Sequence, residues 1–125
     1  MSQPTEMGQM SAVELLECYR NKSLSPVDVT EDALARIERF NPQVNAYCHI
    51  DAEGALRSAR ASEQRWLKGE PRGALDGVPA SIKDLTLTQG MPTRKGSRTT
   101  SAHGPWDVDA PFTAFMRPAG AVLLG

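Results

Sequence analysis

Cysteine is scarce in this sequence, and long apolar runs are missing from it. The 125 residues include two cysteines, Cys18 and Cys48, with no CxxC spacing and no histidine placed to complete a zinc site. We therefore expect no metal centre, and we predict that both thiols are buried and reduced, as in a cytoplasmic protein. No apolar stretch approaches the roughly 20 residues that span a bilayer, and the N-terminus lacks the features of a secretory signal. Neither secretion nor a membrane partner is expected.

An excess of charge of one sign is also missing. The 14 basic and 15 acidic side chains give a formal net charge of −1, so nothing attracts the chain as a whole to nucleic acid. What the chain does have is an ordinary apolar content of 40%. A chain of this length can bury about two-thirds of the surface that it exposes when unfolded. We therefore expect a folded protein with a core of its own.

Three amphipathic helices are predicted for residues 1–70, which form a helical segment. Each begins at a side chain that can cap the first free amide groups of a helix. Apolar residues then recur every three or four positions. The predicted helices run from Ser11 to about Asn21 or Lys22, from Ser25 to Asn41-Pro42, and from Asp51 to about Lys68, with Gly69 at a left-handed C-terminal position. Residues 1–10 are polar and unpatterned, and they predict a loose arm.

Strands are predicted where the helical pattern gives way. Glycine and proline are too frequent between residues 71 and 106 for helices to persist. The predicted elements are short strands at 44–50, 78–85 and 121–124, and a short helix that begins at the cap Asp109. Residues 71–125 are therefore interpreted as the start of an α/β core.

Lys83 is the residue with the clearest chemical potential. It stands near the end of the predicted strand 78–85, directly before a glycine-rich loop, and a partly desolvated lysine is a usable base. The alternative is a surface lysine paired with Asp84, and on this pattern alone that alternative is favoured. Ser81 would share a strand face with Lys83, so a serine–lysine dyad can be drawn.

The remaining polar residues of the loop have simpler interpretations. The basic run 94–98 lacks the order of a phosphate-binding loop and is too short for a nucleic-acid patch. We expect a solvated loop near a substrate entrance. Ser97 is interpreted as a turn residue, and His103 as a loop histidine without a catalytic role.

Several motifs in series resemble those of one enzyme family. They are Ser25-Pro26-Val27-x-Val29-Thr30-Glu31, Arg36-Ile37, Asn41-Pro42, Asn45-Ala46, Leu75-x-Gly77-Val78-Pro79-x-x-x-Lys83-Asp84, Gly90-x-Pro92-Thr93-x-x-Gly96-Ser97, Asp109-Ala110-Pro111 and Ala119-Gly120-Ala121-Val122-Leu123-Leu124-Gly125. Over about residues 11–125 the chain resembles the N-terminal portion of the amidase signature family, whose members are serine–serine–lysine amide hydrolases.

The resemblance implies a fold, a site and a substrate class. The fold would be α/β, with N-terminal helices and the first strands of the family's α/β/α mixed sheet, which is incomplete in this chain. Lys83 would be the catalytic base, acting through a second serine that activates the nucleophilic serine. Asp84, Gly96 and Ser97 match family positions and would support the loop or contact substrate. We expect Asp84 to bond to backbone. The substrate would be a small-molecule amide, and no cofactor is implied.

Both serines belong, in that family, to a Gly-Gly-Ser-Ser-Gly-Gly-Ser type of stretch that these 125 residues do not contain. We therefore expect part of an amide hydrolase, or of the similar amidotransferase subunit that releases ammonia from glutamine, that is inactive alone. The alternative is a non-catalytic remnant that acts through binding or oligomerisation. In either case an open apolar edge at strand 121–124 would favour self-association.

Overall fold

The described part of the chain folds into four α-helices and a two-stranded parallel sheet. The computed structural model describes residues 6–125. After a short 3₁₀ turn at Met7–Gln9, the elements are α1 (Ala12–Asn21), α2 (Pro26–Val44), α3 (Ala52–Leu67), β1 (Pro79–Ala80), α4 (Pro111–Met116) and β2 (Val122–Leu123). The predicted loose arm lies partly outside the described residues. The rest of it contains the 3₁₀ turn.

The starts of the first three helices follow the predicted caps. At α1, the Ser11 hydroxyl accepts the Glu14 amide at 3.3 Å, and Glu14 Oε2 accepts the Ser11 amide at 2.7 Å. The same reciprocal pair recurs at α2, and at α3 the Asp51 carboxylate accepts the amide of Gly54 at 3.0 Å. These side chains satisfy amide groups that have no partner within a helix.

The end of α2 differs from the prediction. The helix runs through Pro42 to Val44 and ends at Asn45, whose φ of 49° is left-handed. A proline near the end of a helix removes one hydrogen bond, and the Asn45 amide closes the last turn on the carbonyl of Asn41 at 2.7 Å. The predicted strand at 44–50 is therefore wrong, because helix takes its first residue and no ladder forms after it.

The sheet is shorter than predicted. Strands β1 and β2 have two residues each and pair in parallel, with Pro79 opposite Val122 and Ala80 opposite Leu123. Single backbone bonds extend the pairing, since the Ile82 amide donates to Gly125 at 2.8 Å. Beyond that point the chain turns back on itself, which ends the strand predicted to reach residue 85.

Strand β2 is covered on both of its faces. Val122 and Leu124 pack against small side chains of α3, Ala55 and Ala59. The alternate residues, Ala121 and Leu123, pack against Met91, which lies in the loop after β1. Because successive side chains of a strand point to opposite faces, both rows are buried. Within residues 6–125 β2 pairs with β1 alone, so one edge of the strand is open, as expected. Contrary to the expectation, the apolar side chains of the strand are buried.

The short helix α4 lacks the predicted cap. Its N-cap residue is Ala110, with no side-chain capping bond. The Asp109 carboxylate instead accepts the Gln89 amide at 2.7 Å and the Arg117 Nε at 2.6 Å. The ion pair from Arg117 holds the pKa of Asp109 below its ordinary value. Asp109 therefore fastens the two ends of α4 to the loop at Gln89.

The two thiols differ from the prediction in part. Both cysteines are free, but Cys48 is exposed and Cys18 is half-buried. None of the helices in residues 6–125 is long and apolar enough to cross a membrane.

A buried ion pair fastens the turn before β1 to α3. Asp76 is fully buried, and Arg65 donates to its two carboxylate oxygens at 2.8 and 2.6 Å. The Arg72 amide donates to the same carboxylate at 2.7 Å. Burial alone would raise the pKa of Asp76, but these hydrogen bonds outweigh it and hold the pKa below its ordinary value.

Two aromatic side chains hold the same turn by its backbone. The Trp66 indole donates to the carbonyl of Asp76 at 3.0 Å, and the Tyr19 hydroxyl donates to that of Gly77 at 2.9 Å. The two rings pack together with Leu15 and Val29, so burial raises the pKa of Tyr19. Helices α1 and α3 thus place the start of β1.

Loss of the Asp76 charge is expected to destabilise the chain strongly. Asp76→Asn leaves Arg65 without its buried partner, which should lower the free energy of unfolding by about 3–5 kcal/mol. The lowered pKa means that wild-type stabilisation is present above about pH 4 and is lost as pH falls through the folded-state value. Urea unfolding at about pH 7 and at about pH 3 measures this loss. The free energy of unfolding should decrease less on acidification in Asp76→Asn than in the wild type.

Glu53→Gln is the matched control, because it neutralises the carboxylate of the exposed Arg57 pair. That change should cost no more than about 1 kcal/mol. Equal destabilisation by the two variants would contradict a structural role for the buried pair.

Gly120 should tolerate alanine much less well than Gly69. Both have positive φ, 89° and 71°, and this conformation costs about 1–2 kcal/mol for a residue with a Cβ. A Cβ at Gly120 would also lie 2.6 Å from the Cα of Asp76, whereas at Gly69 nothing lies within 4 Å. We expect Gly120→Ala to cost at least twice as much unfolding free energy as Gly69→Ala in urea titrations. Equal costs would show that backbone strain alone matters.

Candidate functional site

A cavity of about 500 Å³ opens beside the C-terminal end of β1. We call it the lysine cavity. Four stretches of chain line it, together with Thr86 and Thr88: residues 46–49, residues 81–84, residues 91–93 and Gly125. Lys83 and Ser81 therefore share one cavity. The lining is rich in hydroxyl groups.

Lys83 occupies a tight turn at this cavity. Its carbonyl accepts the amides of Leu85 at 2.7 Å and Thr86 at 2.9 Å, so the backbone reverses directly after the lysine. The side chain is exposed. The partial desolvation that the first interpretation of Lys83 requires is therefore not found in the part of the chain that the structure describes. The favoured alternative is found in part: Lys83 lies at the surface, but within residues 6–125 it makes no ion pair with Asp84.

Asp84 bonds to the backbone of the glycine-rich loop. Its carboxylate accepts the amides of Arg94 at 2.8 Å and Gly96 at 3.3 Å. Its carbonyl accepts the amide of Lys95 at 3.0 Å. Three consecutive amides of the loop thus converge on the residue that follows the lysine. The arrangement ties the loop to the cavity without leaving the carboxylate free for proton transfer.

The other predicted loop residues lie in turns. Gly96 has a φ of 62°, with no atom near its missing Cβ, and follows Lys95 at 55°. The Ser97 hydroxyl accepts the amide of Thr99 at 3.1 Å. Neither Gly96 nor Ser97 lines the lysine cavity, and His103 is exposed outside it. The structure therefore brings together Lys83, Asp84 and Ser81, and it leaves Gly96 and Ser97 in the loop that Asp84 holds.

One part of the cavity is not indicated by the sequence motifs. Residues 46–49 are predicted as part of a strand, yet they form an irregular wall of the lysine cavity with a bend at Cys48, and Cys48 and His49 are among the lining residues. The available signal is the pair Asn41 and Asn45, since asparagine often bonds to local backbone and adopts the left-handed conformation.

Removing the Asp84 carboxylate is expected to free the loop. In Asp84→Ala the amides of Arg94 and Gly96 lose their acceptor, and their hydrogen exchange should become at least about tenfold faster, as expected for the loss of a bond worth about 1.5–3 kcal/mol. Asp107→Ala, at an exposed position in the same loop, is the control. Unchanged exchange at both amides in Asp84→Ala would contradict this assignment.

Comparison with known proteins identifies the family. The family model described as Amidase matches residues 28–125. The chain therefore belongs to the amidase family. It is 40% identical to a glutamyl-tRNA(Gln) amidotransferase subunit from Salinispora arenicola (strain CNS-205), over 97% of this chain and 24% of the relative.

Solved structures of amidases have the same fold over this region. A peptide amidase from Stenotrophomonas maltophilia superposes with a TM-score of 0.87 at 28% identity, over 98% of this chain and 25% of that one. A bacterial aryl acylamidase of the amidase signature family gives a TM-score of 0.79 at 32% identity, over 93% and 24%. The α/β class expected from the sequence is confirmed. The chain spans about a quarter of the length of the relatives that it matches.

Proposed function

We propose that this chain supplies the lysine base of an amide (C–N bond) hydrolase. The observation that carries the proposal is Lys83, which stands in a fixed turn at the edge of a hydroxyl-lined cavity, next to a carboxylate that ties down the following loop. The two serines of the family mechanism would come from sequence outside these 125 residues. Lys83 would take a proton from the bridging serine, which would in turn activate the nucleophilic serine.

Burial of Lys83 would then depend on the same additional sequence. A solvated lysine is protonated at neutral pH and is a poor base. In these residues its side chain is exposed at the cavity, so further chain that packs against the amine would desolvate it and favour its neutral form. The 125 residues alone are therefore proposed to be inactive.

The substrate is proposed to be a small-molecule amide, and its identity is left open. The relatives include a peptide amidase, an aryl acylamidase and a glutamyl-tRNA(Gln) amidotransferase subunit. These relatives are named for different substrates, so membership of the family does not specify which amide is bound.

A second candidate is a binding role without catalysis. It is favoured by exposed aromatic side chains on α4, Phe112 at 57% and Phe115 at 77%, and by the single pairing of β2 among the described residues. Such surfaces favour association with a second copy or another protein. A monodisperse monomer in light scattering at high concentration would argue against self-association.

Activity should depend on Lys83 and on sequence beyond residue 125. We expect no amide hydrolysis by the 125-residue chain, and hydrolysis by a polypeptide that also carries the serine stretch. In the longer polypeptide Lys83→Ala should lower kcat by about 10²–10⁴-fold, the usual contribution of a general base. Lys68→Ala is the control, because Lys68 is exposed at the end of α3, away from the lysine cavity.

Two outcomes would overturn the proposal. Hydrolysis by the 125-residue chain that Lys83→Ala abolishes would show that a serine within it, such as Ser81, is the nucleophile. Full activity of Lys83→Ala in the longer polypeptide would remove the lysine from the mechanism.

A further inference from the structure

The wall of the lysine cavity formed by residues 46–49 is held by one side chain of α2. The Asn41 Oδ1 accepts the Tyr47 amide at 2.8 Å, and the Asn41 Nδ2 donates to the Tyr47 carbonyl at 3.0 Å. One carboxamide thus bonds both backbone groups of one residue, as a neighbouring strand would do. Asn41 lies in the last turn of α2, and the helix ends at Asn45, between Asn41 and Tyr47.

The other end of the wall rests against β2. The amide of Asp51 donates to the carbonyl of Leu124 at 2.8 Å. A Cβ added at Gly125 would collide with the carbonyl oxygen of His49, so the two backbones are in direct contact there. Residues 46–49 are therefore fixed at both ends, by Asn41 on one side and by the end of β2 on the other.

Tyr47 anchors this wall to the core, and Cys48 faces the cavity. The Tyr47 ring packs on the cluster of Val122 and Leu124 beneath the wall. Cys48 lies at a bend of the wall and is not part of that cluster. Cys48 is exposed and lines the lysine cavity together with Lys83.

We infer that Cys48 limits the size of the amide that the lysine cavity admits, and that Asn41 is the positioning residue that holds Cys48 in place. The catalytic part of the inference rests on the proposed function, whereas the geometry does not. A larger side chain at Cys48 narrows the cavity, because the wall behind it is held and cannot retreat. Loss of the Asn41 carboxamide leaves both backbone groups of Tyr47 without their partner and frees the wall to move.

The first experiment tests the geometry without any reaction. A trifluoromethyl thiol reagent attached to Cys48 and Cys18 gives two ¹⁹F NMR signals, and the Cys18 signal reports on the integrity of α1. Lys83→Ala should shift the Cys48 signal alone, because the two residues share the cavity. Asn41→Leu, which has a similar size and no hydrogen-bonding group, should shift or broaden the Cys48 signal alone. Asn41→Asp, which keeps the acceptor and loses the donor, should have an intermediate effect.

An unchanged Cys48 signal in Asn41→Leu would overturn the positioning role. An equal change in the Cys18 signal would do the same, because it would mean general destabilisation. If Asn41→Leu does not fold, the Asn41→Asp comparison decides by the same two criteria.

The second experiment tests selection of substrate in the longer polypeptide that carries the serine stretch. Cys48→Phe should reduce kcat/KM for a bulky aryl amide by about tenfold or more relative to a small aliphatic amide. Val44→Phe introduces the same side chain at an exposed position outside the cavity lining and should leave the ratio unchanged. Asn41→Leu should change the same ratio while the pH profile of kcat keeps its midpoint, because Lys83 remains in place.

A uniform loss for both amides in Cys48→Phe, with the ratio unchanged, would overturn the selective role. If the wild-type longer polypeptide hydrolyses no amide, the proposed function fails. The ¹⁹F comparison then decides the inference about Asn41 and the wall by itself.

Discussion

The buried ion pair between Arg65 and Asp76 is the interaction on which the rest of this structure depends. A fully buried carboxylate is tolerated because a guanidinium and a backbone amide satisfy it. Trp66 and Tyr19 then take the two adjacent carbonyls, so the helices hold the turn before β1 through its polar groups. The direction of β1 follows from this turn, and the place of Lys83 follows from β1. The position of Lys83 thus depends on contacts made several residues earlier, by residues that do not line the lysine cavity.

The local features of this fold could be predicted, and the features made by distant contacts could not. Caps such as Ser11 and Asp51 act within one helical turn, so their sequence pattern is sufficient to identify them. Asp109 is also a capping residue type, but α4 has Ala110 as its N-cap, and the Asp109 carboxylate bonds to the guanidinium of Arg117 and the amide of Gln89 instead. The predicted strand at 44–50 is wrong for a similar reason. Its alternating pattern reflects real burial of Tyr47, but the Asn41 side chain occupies the backbone groups that a neighbouring strand would need.

For the candidate site, the resemblance located the lysine and the structure described its surroundings. The motif around Lys83 indicated the residue, and backbone bonding by Asp84 was expected and is found. The surface position of Lys83 is the favoured interpretation and is found, but its pairing with Asp84 is not, because the Asp84 carboxylate bonds to the distant amides of Arg94 and Gly96. The role of residues 46–49 could not be foreseen, because their link to the site passes through Gly125, some 75 residues further along.

The register of β1 and β2 has a consequence for how this chain folds. Pro79 pairs with Val122, about 40 residues later, whereas α2 and α3 are joined by a short connection. Closing the long loop costs more chain entropy than bringing the two helices together, so the helical layer is expected to form first. The helices then hold the turn at Asp76 and Gly77 through hydrogen bonds. Strand β1 extends from that turn, and β2 pairs with it. The backbone of Gly120 lies directly against that turn, since a Cβ there would be 2.6 Å from the Cα of Asp76. This contact lies at the end of the sheet where the pairing of β1 and β2 begins. The register of the sheet is therefore fixed at this turn by a contact of backbone with backbone, in which the Gly77 amide donates to the carbonyl of Gly120 at 2.9 Å.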